Sequence, residues 1–536
     1  MNGILLRGNS PIFATDLTQM GHVFFPGEDF VVWVPEAEGD APAAPPPVDG
    51  YGWHVDMLAL PVDVAQSAAS GLDHAPGGGP APAGGRTWRV AVTAAGPAGK
   101  RSAEDGLVQD PSESPRTFEH RLRRLAKGLL VDVLSPLVGF RPGWGILTGV
   151  RPTKLVHQML DAGEPDPSAR LVSEFRVSPE KAELVTGVAR LQRPYLGRNP
   201  RAVSLYVGIP FCPSICSFCS FSIYPVNQHR SQVGPFLEAL AREMAIIGEA
   251  IRELGLRVET LYFGGGTPTS PRDEDFAWML RQTEELLLRG QRPVEYTMEG
   301  GRPETFTRAK LDAMAAAGVT RVSVNPQTTV QATLLHLGRI HTVEKFYRAY
   351  DLVRSHPAGF TVNSDIIIGL PGEGPDEVHH TLADMRRLAP DNLTVHTLAV
   401  KRGSRIHGEG EAGEVLRALT PAEAESLVQD AAETARAMGQ RPYYLYRQKF
   451  MVGALENVGY ALPGKESLYN IQMMEERQTV IGLGGGATSK WYKPLGEGRG
   501  WLLKAPANPT DPETYIARAE ELARRKVEHL RLLYGA

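Results

Sequence analysis

The chain has 536 residues, of which 42% are hydrophobic, and a formal net charge of −4. That is enough apolar content for a globular protein of several domains, and too little charge for a nucleic-acid coat or a membrane-surface role resting on charge alone. No run reaches the roughly 18 consecutive apolar residues that a membrane-spanning helix needs. The opening MNGILLRGNSP lacks the apolar stretch of an export signal, so a cytoplasmic protein is expected.

In chain order, residues 1–115 predict a small, irregular β-rich lobe, with apolar runs at Val31-Val32-Trp33-Val34 and Met57-Leu58-Ala59-Leu60. From Ala65 to Arg86 the composition falls to Gly, Ala and Pro, which predicts a flexible loop. A strand at Thr87–Ala94 and a further polar loop follow. Residues 116–200 predict a helical linking region: over Thr117–Leu134, Leu122, Leu125, Leu129 and Leu130 recur at helical spacing beside Arg121, Arg123, Arg124 and Lys127. The basic face of that helix is expected to be solvated.

From Arg201 onward, short β-prone runs alternate with helical patterns, the signature of parallel β/α units. Strands are expected at Val203–Ile209, Glu259–Phe263, Val294–Met298, Val322–Val324, Thr361–Ile368 and Asn392–Val400. Helices are expected near 233–254, 273–288, 307–317, 343–355, 376–388 and 420–438. Six repeats predict an α/β fold, a partial (β/α)6 TIM-like barrel over 201–440, with chemistry at the C-terminal ends of the strands. Residues 441–536, with Tyr443-Tyr444-Leu445-Tyr446, a glycine run and a charged helix over Pro512–Leu533, predict a closing lobe.

Only three cysteines occur, Cys212, Cys216 and Cys219, all inside one CxxxCxxC window directly after the first barrel strand. A disulfide framework would use an even number spread along the chain. Three thiolates on one tight loop can each bind a different iron of a [4Fe–4S] cube and leave the fourth iron open, whereas electron-transfer clusters use four cysteines. A zinc site with His229 as fourth ligand, or buried inert thiols, is the competing reading. The motif resembles the defining cysteine motif of the radical S-adenosylmethionine superfamily. On that resemblance S-adenosylmethionine chelates the open iron, and its reductive cleavage yields a 5′-deoxyadenosyl radical.

Further motifs close the later strands. Gly264-Gly265-Gly266-Thr267-Pro268 follows the second strand, where consecutive glycines permit close backbone approach and a free row of N–H groups suits a carboxylate. The third strand ends in Glu299-Gly-Gly-Arg302-Pro-Glu304, the fourth in Asn325-Pro-Gln327, and the fifth in Asn363-Ser-Asp365, with Arg339-Ile-His341 between the last two. Polar residues closing apolar strands are costly unless they face a ligand or a hydrogen-bonded cavity, although each alone could cap the next helix. In order and spacing these motifs resemble the oxygen-independent coproporphyrinogen III dehydrogenases and their heme-chaperone relatives. Gly149-Val-Arg151-Pro152-Thr153-Lys154, Tyr443 to Gly459 and Gly482 to Lys490 resemble the HemZ branch of that family, which carries a long N-terminal extension.

The resemblance implies that Tyr206, Gly265, Gly266, Thr267, Glu299, Gln327, Arg339 and Asp365 contact S-adenosylmethionine, and that the three cysteines carry the cluster. It implies a tetrapyrrole substrate, coproporphyrinogen III, whose ring A and B propionates become vinyl groups in heme biosynthesis, with an electron donor such as flavodoxin or ferredoxin. Arg402, Arg405, Arg447 and Lys449 are candidates for holding substrate carboxylates, or else ordinary surface charge. His341 could meet the substrate or be a structural residue. Gly208 stands where many relatives have histidine, and Ser220 replaces a further cysteine. A heme-binding chaperone is the alternative, although its histidine–asparagine–tyrosine–tryptophan signature is replaced here by Tyr469-Asn-Ile-Gln. A radical methyltransferase or another radical reaction is a third reading. No basic patch interleaved with aromatics points to nucleic acid.

Overall fold

The computed structural model describes residues 3–26, 28, 30–34, 51–62, 86–401, 403–408, 418–448, 451–496 and 499–535. Most of the Gly/Ala/Pro segment, and with it the flexible loop expected there, lies outside the described residues.

The N-terminal part is built on a five-stranded sheet of order β2-β1-β3-β4-β5, from β1 (Gly3–Gly8), β2 (Phe30–Trp33), β3 (Tyr51–Val62), β4 (Arg86–Gly96) and β5 (Gly99–Gln109). It is more regular than the irregular lobe expected, and β5 occupies the span read as a polar loop. The reason is position: β5 is the sheet edge, most of its side chains face water, and an edge strand need not show apolar alternation. Helix α1 (Ala14–Phe24) packs on β1 and β2, and α2 (Pro115–Val138) on β4 and β5. Ser114 accepts the Thr117 N–H at the start of α2, Pro115 fits its first turn, and Gly139 at φ 74° ends it. The basic face of α2 is not left in water. Arg123 and Lys127 both meet the buried Asp16 of α1, at 2.6 and 3.2 Å, and Arg124 pairs with Glu174.

Three further helices, α3 (Pro152–Asp161), α4 (Pro167–Phe175) and α5 (Pro179–Gln192), connect this part to the barrel. They dock through buried polar contacts: Lys181 Nζ and Trp144 Nε1 each donate to Glu456 at 2.6 Å, and Gln192 donates to the Tyr443 carbonyl.

The second sheet has eleven strands, and its centre is singly wound and parallel. Strands β6 (Ala202–Ile209), β7 (Arg257–Gly265), β8 (Glu295–Glu299), β9 (Arg321–Ser323), β10 (Thr361–Ile368) and β11 (Asn392–Thr397) lie side by side in chain order. Between them run α6 (Arg230–Glu253), α7 (Asp273–Gln282), α8 (Arg308–Ala316), α9 (Val343–Arg354) and α10 (Pro375–Leu388), and α11 (Pro421–Ala437) follows β11. These strands are buried almost end to end because both faces are covered, although they carry polar residues such as Glu295, Arg321 and Asn363. In β6, β8, β10 and β11 one position stays partly open, and those positions are Tyr206, Glu299, Asp365 and His396.

The C-terminal lobe extends the sheet at both edges. Beyond β11 lie β13 (Asn457–Ala461) and β12 (Arg441–Tyr446), both antiparallel. Beyond β6 lie β14 (Thr479–Gly484), parallel to it, then β15 (Lys490–Gly496) and β16 (Arg499–Lys504). The terminal helix α13 (Pro512–Tyr534) packs on α6, with Phe236 and Tyr515 rings 4.9 Å apart. Helix α12 (Leu468–Glu475) contacts both β7 and β12, on opposite sides of the sheet's centre, which requires the sheet to curl around it. The partial barrel follows from that. The carboxylate of Glu295, at the N-terminal end of β8, receives Ser467 Oγ and the N–H groups of Leu468 and Tyr469, so α12 plugs the bottom of the barrel.

Candidate active site at the mouth of the barrel

The cysteine loop leaves β6 through Pro210 and closes on itself. Tyr224 N–H donates to the Pro210 carbonyl and Val226 N–H to the Cys212 carbonyl, both at 2.8 Å, so Cys216 and Cys219 sit in a pinned loop. Glycines let the neighbouring strand come up beside it. Gly266 N–H donates to Ile209 O and Thr267 N–H to Phe211 O, each at 2.7 Å, and a Cβ on Gly266 would stand 2.6 Å from the Phe211 oxygen. Those two N–H groups are therefore not free for a carboxylate, as expected from the glycine row; they clamp the cysteine loop instead. Thr267 Oγ1 lies 3.2 Å from Cys212 Sγ.

A buried cationic layer backs the loop. Arg302 donates to Ser214 and Glu304, with Nη1 3.6 Å from Cys216 Sγ. Arg339 donates to the Gly301 and Asn325 carbonyls, with Nη1 3.9 Å from the same sulfur. Burial alone would raise the Glu304 carboxyl, but His341 and Arg302 outweigh it and hold it at about 2. His341 Nδ1 stands 3.2 Å from Glu304 Oε2, and the ring is 1% exposed, so His341 is a structural member of this layer and not a substrate contact.

The donor set fits an iron–sulfur cube. Burial pushes the Cys212 thiol up to about 12, against the Thr267 hydrogen bond, so a thiolate there at neutral pH calls for a metal to hold it. Among the described residues no three His, Cys, Asp or Glu side chains converge as a single metal ion requires. A cube gives each thiolate its own iron and needs no such convergence. His229, the fourth ligand in the zinc reading, is turned away: its Nδ1 meets Gln232 Oε1 at 3.0 Å and its ring packs edge-on to Tyr224.

Beside the cysteine loop a cavity of about 340 Å³ opens at the C-terminal strand ends. Its wall includes Phe218 and Phe221 of the loop, Glu299, Gln327, Asp365 and His396 of the barrel, and Tyr444, Tyr446 and Asn470 of the closing lobe. Glu299 is held at about 7 by burial and by Asp365 repulsion, against a hydrogen bond from Tyr262. Asp365 accepts Asn325 Nδ2 at 2.9 Å and lies 3.8 Å from His396 Nε2. Gln327 adopts φ 69°, unusual for a residue with a Cβ, and is locked there by backbone bonds to Asp365 and Ile367.

Of the residues expected to contact S-adenosylmethionine, Glu299, Gln327 and Asp365 therefore share one cavity. Tyr206 lies beneath, stacked with Tyr262 and Tyr469 at 6.1 and 6.2 Å. Gly265, Gly266, Thr267 and Arg339 lie with the cysteine loop.

The arginines expected at the substrate fare differently. Arg447 is buried, with its guanidinium donating to the Leu147, Ala454 and Leu455 carbonyls and resting over Trp144; it is a structural tie. Arg405 is exposed and does not line the cavity. Arg402 and Lys449 lie outside the described residues. Lys401, at the cavity rim just past β11, was not singled out, although a cation directly after a barrel strand is itself a signal.

The sequence pattern of the Radical SAM superfamily matches residues 206–385, from Tyr206 in β6 to Met385 in α10. The site thus lies in a radical S-adenosylmethionine domain, a class of enzymes that use a [4Fe–4S] cluster and S-adenosylmethionine. The chain is 40% identical over 414 residues to the oxygen-independent coproporphyrinogen-III oxidase-like protein HemZ of Bacillus subtilis (strain 168), covering 75% of this chain and 80% of that one. It belongs to the family of that protein. It is also 27% identical over 287 residues to the heme chaperone HemW of the same organism, covering 53% of this chain and 70% of HemW. Against the oxygen-independent coproporphyrinogen III oxidase of Paracoccus denitrificans (strain Pd 1222) the identity is 29% over 201 residues, covering 37% of this chain and 43% of that protein. No helix among the described residues is long and apolar enough to cross a membrane.

Proposed function

We propose that this protein carries out the oxygen-independent oxidative decarboxylation of coproporphyrinogen III to protoporphyrinogen IX, in the cytoplasm, as a step of heme biosynthesis. The observation that carries the reading is the pairing of a three-thiol loop with a cavity lined by two carboxylates, Glu299 and Asp365, at the partly open positions of their strands. Cys212, Cys216 and Cys219 hold the cluster. The ammonium and sulfonium of S-adenosylmethionine suit the two carboxylates, which among the described residues have no arginine or lysine of their own. When bound, the cluster and S-adenosylmethionine would supply the hydrogen-abstracting 5′-deoxyadenosyl radical, and each propionate, having lost that hydrogen and then carbon dioxide, would pass one electron to an acceptor outside the chain. The chain orients the substrate, keeps water from the reacting carbon with Phe218, Tyr444 and Tyr446, and admits an electron donor of the flavodoxin or ferredoxin type at the surface.

The likeness to HemZ and to the Paracoccus oxidase favours this reading; the HemW likeness favours a heme chaperone. The chaperone signature falls on α12, where this chain has Tyr469, its ring buried 4.5 Å from that of Tyr262. The test is anaerobic incubation of reconstituted protein with reductant, S-adenosylmethionine and coproporphyrinogen III. Vinyl products and 5′-deoxyadenosine are expected. Deoxyadenosine without vinyl product would assign another substrate, and stoichiometric heme binding without turnover would assign the chaperone.

A further inference from the structure

We infer that Lys401 is the carboxylate anchor of the barrel-mouth cavity, receiving an acid side chain of the substrate at the rim while the cofactor occupies the floor. The inference rests on the cavity being the substrate site proposed above.

Three observations carry it. First, the cavity wall is electrically divided. Its acidic groups, Glu299 and Asp365, stand at the ends of β8 and β10, while Lys401 follows the end of β11. Among the described lining residues Lys401 is the one lysine or arginine. Second, the ammonium is not used within the fold. Among the described residues, Arg302 and Arg339 beside the cysteine loop are buried and committed to backbone carbonyls, hydroxyls or Glu304. Lys401 is exposed and has no carboxylate partner among the described residues, and burial of its stem lowers the ammonium from its ordinary value. Third, Leu398, Ala399 and Phe221 line the same cavity as Lys401, an apolar surface against which a macrocycle edge can rest with its acid groups turned to the ammonium.

The charge division also orients the two ligands. A cation seated by Lys401 or a carboxylate seated by Glu299 would meet a like charge, so the floor selects the sulfonium and the rim selects the acid. A ligand with several carboxylates fits this rim better than a neutral macrocycle of equal size. Lysine, as a flexible point charge, can follow first one acid arm and then another without a fixed bidentate geometry.

The test measures binding, not turnover. Coproporphyrin III, the stable oxidised form of the proposed substrate, and its tetramethyl ester are titrated by fluorescence into full-length reconstituted protein, wild type, Lys401→Gln and Lys401→Arg. Loss of a charge-assisted hydrogen bond should weaken binding of the free acid to K401Q about tenfold, with K401R near wild type. The ester should bind wild type and K401Q alike. S-adenosylmethionine binding by equilibrium dialysis should be unchanged in K401Q. Equal affinity of wild type and K401Q for the free acid, no binding by wild type, or loss of S-adenosylmethionine binding in K401Q each overturns the assignment. Lys401-dependent binding without vinyl product would leave the anchor assigned and remove the decarboxylation instead.

Discussion

The two ends of the barrel both bury carboxylates and treat them in opposite ways. At the bottom, Glu476 just beyond α12 meets Arg151 and Lys490 at 2.7 and 2.9 Å, and also Lys154; burial would raise its carboxyl, but these partners hold it at about 2. At the mouth, Glu299 sits at about 7 because burial and Asp365 act on it and a tyrosine hydroxyl is its main relief. At the bottom Glu475, the neighbour of Glu476, is raised to about 7 by burial, yet it accepts the Thr153 hydroxyl at 2.8 Å, so the helix-end acids there are tied into the chain, Glu476 by cations and Glu475 by a hydroxyl. The mouth leaves its charges for a partner from outside, which is how a binding site differs from a structural network. Size does not make this distinction. The clefts around Asp161 and Arg477 at the bottom, about 610 and 810 Å³, exceed the cavity at the mouth, yet Asp161 is paired there with both Arg193 and Arg477.

The contrast breaks most visibly at the thiols. Cys216→Ala should abolish iron loading and lower deoxyadenosine formation by about a thousandfold or more, since the three ligands act as a unit. Iron and sulfide analysis beside a turnover assay reads this directly; full iron loading in the variant would remove the cysteine loop from the site.

At the bottom the largest effect belongs to stability. Glu476→Ala leaves Arg151, Lys154 and Lys490 crowded without their acid, which should cost about 3–5 kcal/mol in urea unfolding at pH 7. Because the folded carboxyl lies below its unfolded value, its contribution is present above about pH 4.5 and is lost as pH falls toward 2. Wild type and variant should therefore converge on acidification. A gap that persists at pH 2 would assign the loss to packing.

Glu299→Gln should have the opposite sign. A carboxyl raised to about 7 contributes stability that is full below its unfolded value near 4.5 and is lost as pH rises through 7. The neutral amide escapes that loss, so the variant should match wild type at pH 4 and exceed it at pH 8 by up to about 3 kcal/mol. It should bind S-adenosylmethionine more weakly all the same. A variant less stable than wild type at pH 8 would mean that the protein itself satisfies this carboxylate.

The parts legible in the sequence are those whose cause is local. Apolar runs such as Ile366-Ile367-Ile368 and helices opened by Ser178-Pro179 or Thr420-Pro421 carry their own signals, and polar interruptions in the strands mark Glu299 and Asp365. What could not be read depends on distant partners. The plug helix is held by Glu295, 172 positions before Ser467, and Asp16 takes two cations of α2 from 107 residues or more away. Arg447 looked like a substrate ligand because nothing near it in sequence shows that the Leu147 carbonyl, 300 residues back, accepts its guanidinium. Lys401 escaped notice for the reverse reason, since its neighbour Arg402 has the residue type better suited to bidentate carboxylates.

The smallest effect tests how tightly the mouth is built. Gly208, two residues before Pro210, lies against the glycine run of the closing lobe: its carbonyl accepts the Gly485 N–H at 3.0 Å, and a Cβ would stand 2.4 Å from the Gly485 oxygen. The run cannot easily withdraw, because Glu243 of α6 accepts the Gly484 N–H at 2.9 Å and the Tyr515 hydroxyl at 2.6 Å. Glycine at 208 is thus matched to the glycines at 484 and 485, and a side chain requires both backbones to move. Gly208→Ala should cost about 1–3 kcal/mol by overpacking, read as a lower unfolding midpoint with an unchanged denaturant slope. The thiols two turns of strand further on should still load iron. If the alanine variant is as stable as wild type, the close contact is not what requires glycine here, and the glycine reflects a demand of the site itself.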